Sequence, residues 1–290
     1  MIGELASLAA ALCWAVGLNF FRRDVRQIGA RAVNLFKGII GCALFLIVLG
    51  FTGFPTMDPR AISLFALSGV IGLAIGDSLL FAALGHLGPH RTALLASLGP
   101  VFTAVGAWIF RGESLVTMQI MGIAMAMGGV TLVVWLRPHG KEPSRADAIG
   151  VMLGLAAAVC QAAGVIVTKE AFVGAEQPLA SGALRLGAAT AILAVFALAR
   201  GELGGQLTQL FSPRPFRRLL LATLIGTFGG IWLMQIGIAY TDSAVASALH
   251  STTPLFTLPI AYFISKERLG PRVAAASCLA VAGVIVLLLG

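Results

Sequence analysis

Four ionisable side chains lie deep inside long apolar runs of this sequence: Lys37, Asp77, Arg185 and His250. An ionisable group near the centre of a bilayer costs about 2.5 to 3.5 kcal/mol on insertion scales, so each needs a reason to be there. Asp77 is the one carboxylate so placed. Burial disfavours its charged form, so it could take up a proton on one side of a membrane and release it on the other. His250 belongs to the residue type that titrates near neutrality and could assist. Proton coupling is therefore expected at Asp77 and His250. Pairing of Asp77 with a basic neighbour, and of His250 with a carbonyl, would explain both without coupling. Lys37 and Arg185 stand 148 residues apart, each about two turns into its apolar run. Both could draw an anionic group, such as a substrate carboxylate, into a central cavity. Snorkelling to the interface or capping a neighbouring helix is the alternative.

Around these charges, Trp14, Asn19, Gln161, Trp232 and Gln235 are the polar or aromatic candidates for a mostly apolar small-ligand site. Hydrogen bonding between helices accounts for Gln161 and Gln235 equally well. Trp108 and Tyr240, near the ends of runs, fit an interfacial aromatic belt. Pro100 and Pro254 each lack a backbone donor mid-run and tend to kink a helix, which makes them candidate hinges. Glu113 and Glu267 open apolar runs, where a carboxylate suits the positive end of a helix. Cys13, Cys42, Cys160 and Cys278 all fall in apolar stretches, with no C-x-x-C and no histidine at metal spacing. They are expected to be packing residues, and no metal or cofactor is implied.

The elements that must position these residues follow from composition. Of 290 residues, 58% are hydrophobic and 11% charged, against roughly 25% charged in soluble domains. A water-soluble protein of this size is excluded. Apolar runs lie at about 2–21, 32–49, 61–84, 92–110 and 115–136, then at 148–168, 179–199, 219–240, 243–264 and 273–289. Each is long enough to cross a bilayer as a helix, so an all-α integral membrane protein of ten transmembrane helices is expected. The first run carries Glu4 in place of a basic leader and is followed by Arg22 and Arg23, so it reads as a span rather than a cleaved signal. The net charge of +8 sits in short connections and not on one face, which argues against nucleic acid as a partner.

The chain is doubled. The polar, Pro-punctuated stretch 137–147 separates 1–136 from 148–290. A shift of 147 sets Ala10–Gly17 over Ala157–Gly164 with five of eight residues identical. A shift of 154 aligns Gly72 with Gly226, Gly76 with Gly230, Ser97 with Ser251, and Pro100-Val101-Phe102-Thr103 with Pro254-Leu255-Phe256-Thr257. Asp77 then falls on Ile231, and His250 on Ala96. Five helices is an odd number, so the second half enters from the opposite face and the repeats are inverted. That architecture lets a central site face either side of a membrane in turn.

The paired stretches Pro100 to Leu115 (P-V-F-T-A-V-G-A-W-I-F-R-G-E-S-L) and Pro254 to Leu269 (P-L-F-T-L-P-I-A-Y-F-I-S-K-E-R-L) resemble the two EamA repeats of the drug/metabolite transporter superfamily. The resemblance covers essentially the whole chain, with Lys266-Glu267 where the family usually has Gly-Glu. It implies a ten-helix, inverted-repeat secondary transporter of small metabolites in a bacterial cytoplasmic membrane, often an exporter of amino acids or related compounds. The partners expected for the chain are the lipid bilayer and a small-molecule substrate, with protons added if Asp77 couples, and a monomer or homodimer is expected. The resemblance also implies cytoplasmic termini. The basic residues point the other way: fifteen lie in connections after odd-numbered runs and three in the others, which by the positive-inside rule puts the termini outside.

Other classes are less well supported. Gly76-Asp77 is close to the G-x-G-D of intramembrane aspartyl proteases, but Ala74 replaces the first Gly and no second intramembrane aspartate completes a two-carboxylate site. No zinc-protease, serine-elbow or phosphate-loop motif occurs, so no enzyme activity is expected. A channel would need rings of carbonyls or charges. A facilitated uniporter and a non-transporting membrane subunit or scaffold remain as alternatives.

Overall fold

The structure, a computed structural model, describes residues 1–102, 105, 108, 116–136, 145–172, 177–210, 213–241, 246, 249–263 and 270–289. Among these the chain is helical throughout, with no strand. In order it forms α1 (Ile2–Ile28), α2 (Ala30–Thr52), α3 (Pro59–Gly69), a first π-helical turn (Val70–Gly76), α4 (Asp77–Leu87) and α5 (Pro89–Ala96). Next come α6 (Thr117–Trp135), α7 (Arg145–Ala171), α8 (Pro178–Ala199), α9 (Leu203–Leu210), α10 (Pro213–Ala222), a second π turn (Thr223–Gly229), α11 (Gly230–Tyr240), α12 (Thr253–Phe263) and α13 (Pro271–Leu289).

Among the described residues, seven helices are long and apolar enough to cross a membrane: Ile2–Ile28, Ala30–Thr52, Pro59–Leu87, Arg145–Ala171, Pro178–Ala199, Phe216–Tyr240 and Pro271–Leu289. The protein is a multi-pass integral membrane protein. Thr117–Val133 is a shorter apolar helix, and the expected spans at 92–110 and 243–264 fall partly outside the described residues. So do Glu113, Glu267 and most of the linker at 137–147. The hairpin from α1 to α2 turns on one residue, Gly29, whose φ of 89° lies in the region that a side chain disfavours. Gly88, at φ 83°, does the same between α4 and α5.

Lipid gives helices no hydrophobic reason to associate, so they pack through small residues that let backbones touch. A Cβ on Gly122 would stand 2.3 Å from Leu287 N, one on Gly129 2.4 Å from Ala280 N, and one on Gly283 2.2 Å from Ala126 N. Position rises along α6 as it falls along α13, so the two run antiparallel. Helices α2 and α8 are antiparallel too, with Gly41 on Leu186 and Gly182 on Phe45. α1 lies antiparallel to the α10–α11 rod, from Gly17 on Gly226 to Gly3 on Thr241, and α7 antiparallel to the α3–α4 rod, from Gly164 on Gly72 to Gly150 on Leu87.

Polar contacts gather several connections at one end. Arg26 donates to Gly85 O (3.4 Å) and Arg91 to Leu136 O (3.4 Å). Arg31 approaches Glu202 (3.7 Å), and Arg218 binds Asp24 (2.6 Å) and Gln27 (3.1 Å). The Arg200 guanidinium donates to Glu202 (2.9 Å) and holds its carboxyl below the usual range. Among the described residues, the connections after the first, third and seventh apolar runs, and Leu136 at the end of the fifth, thus share one face.

Candidate functional site

The site is built on the first π turn. Asp77 donates its N–H to Gly72 O, five residues back, so the turn holds one residue more than an α-helix would. Each extra residue rotates the remainder of the helix by about 100°. Ile75, half exposed at 50%, lies in this widened turn. Widening a turn leaves carbonyls poorly served, and Asn34 of α2 reaches across to them. Its Nδ2 lies 3.1 Å from Leu73 O, 3.3 Å from Ala74 O and 2.8 Å from Ser78 Oγ, while Ser78 donates to Ala74 O at 2.6 Å. Replacing Asn34 by Leu is expected to destabilise the fold by about 1–2 kcal/mol, the cost of buried acceptors without donors. Unfolding of the purified variant in detergent measures it; a change within about 0.3 kcal/mol would show that the turn does not depend on this contact.

Rotation by the π turn brings Asp77 to face α2 and α7. Its Oδ2 forms an ion pair with Lys37 Nζ, with both side chains buried, at 0% and 1% exposure. Its Oδ1 accepts from Gln161 Nε2 at 2.7 Å, and the same amide reaches Gly72 O at 3.2 Å. The Lys37 ammonium also stands 5.2 Å from the Phe81 ring centre, a favourable cation–π distance. Lys37 therefore neither snorkels nor stands alone: the basic neighbour that could explain Asp77 structurally is the candidate anion attractor itself.

Arg185 is buried on α8 at 2% exposure. Its Nη1 donates to Gln235 Oε1 (3.0 Å), and Gln235 Nε2 donates to Ser181 Oγ (2.7 Å). The two clusters meet at Gly72, where a Cβ would lie 3.5 Å from Arg185 Nη2 and 3.7 Å from Gln161 Oε1. Asp77 is within electrostatic reach of Arg185 as well. One carboxylate thus serves two buried cations.

His250 does not join this cluster. It stands against Trp14, ring centres 6.4 Å apart and edge to face, and no contact among the described residues links it to Asp77. Trp14 Nε1 and His250 Nε2 are buried atoms with no hydrogen-bond partner among the described residues. Trp232 packs on Phe228, centres 5.6 Å apart. Asn19 donates to Ala15 O one turn earlier in its own helix (2.8 Å).

Pro100 and Pro254 do not kink continuous helices. Each follows a two-residue turn, at 97–98 and at 251–252, and is the second residue of the helix that resumes. A proline is tolerated there because its missing N–H is not needed. The carbonyl that Pro254 would have served in a continuous helix, His250 O, accepts from Thr253 Oγ1 at 2.6 Å. The matched prolines thus mark matched helix breaks.

Sequence reasoning passed over Asn34, Ser181 and His90. Asn34 stands one turn from Lys37, on the same face at i and i+3, and that spacing was its signal. His90, wholly buried, meets Ser277 at 3.0 Å. The Ser277 hydroxyl also lies 2.7 Å from Val273 O. The place of His90 at the edge of an apolar run, beside Arg91, concealed it.

A bundle of membrane-spanning helices with charged and amide side chains joined at its core, two π turns and two broken helices is the build of a membrane transporter. The chain belongs to the EamA-like transporter family, which matches residues 1–135 and 148–289. It is similar, at 24% identity over all of its length and 99% of the other's, to an uncharacterized transporter of Archaeoglobus fulgidus. A probable terminal-alkyne amino-acid exporter of Streptantibioticus cattleyicolor is 26% identical over 57% of this chain, which takes in 54% of the exporter. The uncharacterized transporter YyaM of Bacillus subtilis is 35% identical over 33% of this chain and 32% of its own. A crystal structure 17% identical in sequence shares the fold, with a TM-score of 0.69 over 98% of this chain and 95% of its own.

Proposed function

We propose that the protein is a secondary transporter that exports amino acids or related small metabolites across a bacterial cytoplasmic membrane in exchange for protons, by alternating access. The observation from which this reading starts is the wholly buried Asp77, held between Lys37 and Gln161 directly after a π turn; the pairing with Lys37 alone accounts for a structural role, and the pH-gradient test below separates the two. A proton on Asp77 discharges the ion pair and removes the reason for α2 and α4 to stay together. Proton binding and helix movement are then one event. Ten helices arranged as two inverted repeats of five, 1–136 and 148–290, supply the movement. The antiparallel pairing of α2 with α8 and of α6 with α13, each pair being equivalent helices of the two halves, supports inversion. So do the π turns at 70–76 and 223–229 and the helix breaks at 97–98 and 251–252. Pro100 and Pro254 then stand at hinge points. Amino acids are favoured as cargo by the exporter in Streptantibioticus cattleyicolor, across the part that aligns. The protein works in the bilayer as a monomer or homodimer.

Proteoliposomes with an imposed pH gradient test the coupling. Wild-type protein should accumulate substrate against its gradient, whereas Asp77→Asn should keep substrate counterflow and lose the response to the pH gradient. An Asp77→Asn variant still driven fully by the gradient would remove Asp77 from the mechanism.

A further inference from the structure

We propose that Arg185 and Trp14 bind the carboxylate of a small monocarboxylic acid, which completes in the second half of the protein the constellation that Asp77 completes in the first. This rests on the proposed transport function and names the chemical class of what is carried.

The two halves present the same pair of arms. Lys37 and Arg185, 148 residues apart, come from equivalent positions of α2 and α8, and Gln161 and Trp14, 147 apart, from equivalent positions of α7 and α1. In the first half both arms close on the carboxylate of Asp77, in the turn after the π segment. In the second half the corresponding turn holds Gly230 and Ile231, and neither has a carboxylate.

The arms are nevertheless in place. A Cβ on Gly230 would lie 3.2 Å from Trp14 Nε1, so the indole N–H faces bare backbone where its counterpart Gln161 meets an acid. Arg185 bears on the same helix α11 at Gln235, five residues, about 7.5 Å along and about 140° around the helix from Gly230, with Ile231 between them. Arg185 Nε and Trp14 Nε1 are both buried donors without an acceptor among the described residues, and His250 Nε2 is a third buried nitrogen beside Trp14. Unmade hydrogen bonds of this kind are costly in a protein interior, and the two donors that flank Ile231 point to a ligand that makes them.

Charge points the same way. Lys37 and Arg185 are two buried cations against the single carboxylate of Asp77 among the described residues, so a ligand carboxylate gives Arg185 a counter-charge of its own. Bonds from a guanidinium to a carboxylate are among the strong ones. Phe45, Ile231, Phe228 and Trp232 pack in the same cluster as Trp14 and suit a ligand whose body is apolar.

The test is thermal melting of the purified full-length protein with a defined panel: butyrate, phenylacetate, L-leucine and L-phenylalanine, each beside its amide. At least one acid is expected to raise Tm where its amide does not. Its apparent affinity should fall about 10- to 100-fold in Arg185→Gln and about 10-fold in Trp14→Phe, as loss of hydrogen bonds to a charged ligand predicts. Arg185→Lys should retain part of the binding because the charge remains. No stabilisation by any acid, equal stabilisation by acid and amide, or wild-type affinity in Arg185→Gln overturns the proposal. If Arg185→Gln does not fold, unchanged affinity in both Arg185→Lys and Trp14→Phe overturns it. Counterflow of the same acid separates this from the transport function: an acid that binds through Arg185 but does not exchange upholds the site and sinks transport. Exchange of the amide, which lacks the carboxylate, at the rate of the acid sinks the site and upholds transport.

Discussion

Lys37→Met is expected to destabilise the protein by about 3–5 kcal/mol, the usual cost of leaving one member of a buried ion pair behind. Lys37 and Asp77 are almost wholly removed from solvent, and the only other hydrogen bond to the Asp77 carboxylate comes from Gln161 among the described residues. That amide cannot balance a full charge, and Arg185, though within electrostatic reach of the carboxylate, directs its Nη1 to Gln235. The Lys37→Met/Asp77→Leu double variant should recover part of the loss, because exchanging a buried pair for apolar groups of similar volume is often neutral or stabilising, while Arg185 loses the charge of Asp77. Unfolding of the purified variants in detergent reads both changes. Equal stability of the single and double variants would mean that the pair contributes nothing, and with it would go the proposed link between proton uptake and helix movement.

Gly69→Ala should be about as damaging, by about 3 kcal/mol, at the upper end of the usual range for overpacking. The new Cβ would fall 2.0 Å from the Arg185 carbonyl oxygen and 2.7 Å from its Cα. These are backbone atoms, which cannot turn aside as the tip of a side chain can. Helix α3 would have to move off α8 and would take with it the π turn that aims Asp77. Gly187→Ala on α8 is the control: no atom lies within 4 Å of the added Cβ, and no loss but a gain of up to about 1 kcal/mol is expected, from the higher helix propensity of Ala. If both substitutions are equally mild, the close approach of α3 to α8 is not what holds the centre together.

Much of the candidate site was legible as residues and little of it as contacts. Lys37, Asp77 and Arg185 stood out because a charge inside an apolar run is conspicuous whatever the fold. That Lys37 belongs with Asp77 could not be read, since 40 residues separate them and the pairing depends on rotation about both helix axes. The π turn sets that rotation. The glycines at 69, 72 and 76 are as compatible with a plain α-helix, so the extra residue leaves no local mark. His250 was grouped with Asp77 because both are titratable, and the fold sets it against Trp14 instead. The prolines were legible as interruptions, but whether a helix bends or stops at them depends on which neighbouring hydroxyls take up the freed carbonyls, as Thr253 does for His250.

Span length, sparse charge and the doubled pattern were settled by sequence, because bilayer thickness and the cost of burying charge act on each segment separately, without reference to its neighbours. Which side chains meet was left to tertiary structure. Helices in lipid approach through backbone contacts at small residues, and the register of those contacts, together with the one-residue shift of a π turn, decides what each polar group faces. That is why a carboxylate, an ammonium and an amide from three distant segments share one point at Asp77. Arg185 and Trp14, equally visible in sequence, meet no carboxylate of the chain's second half among the described residues.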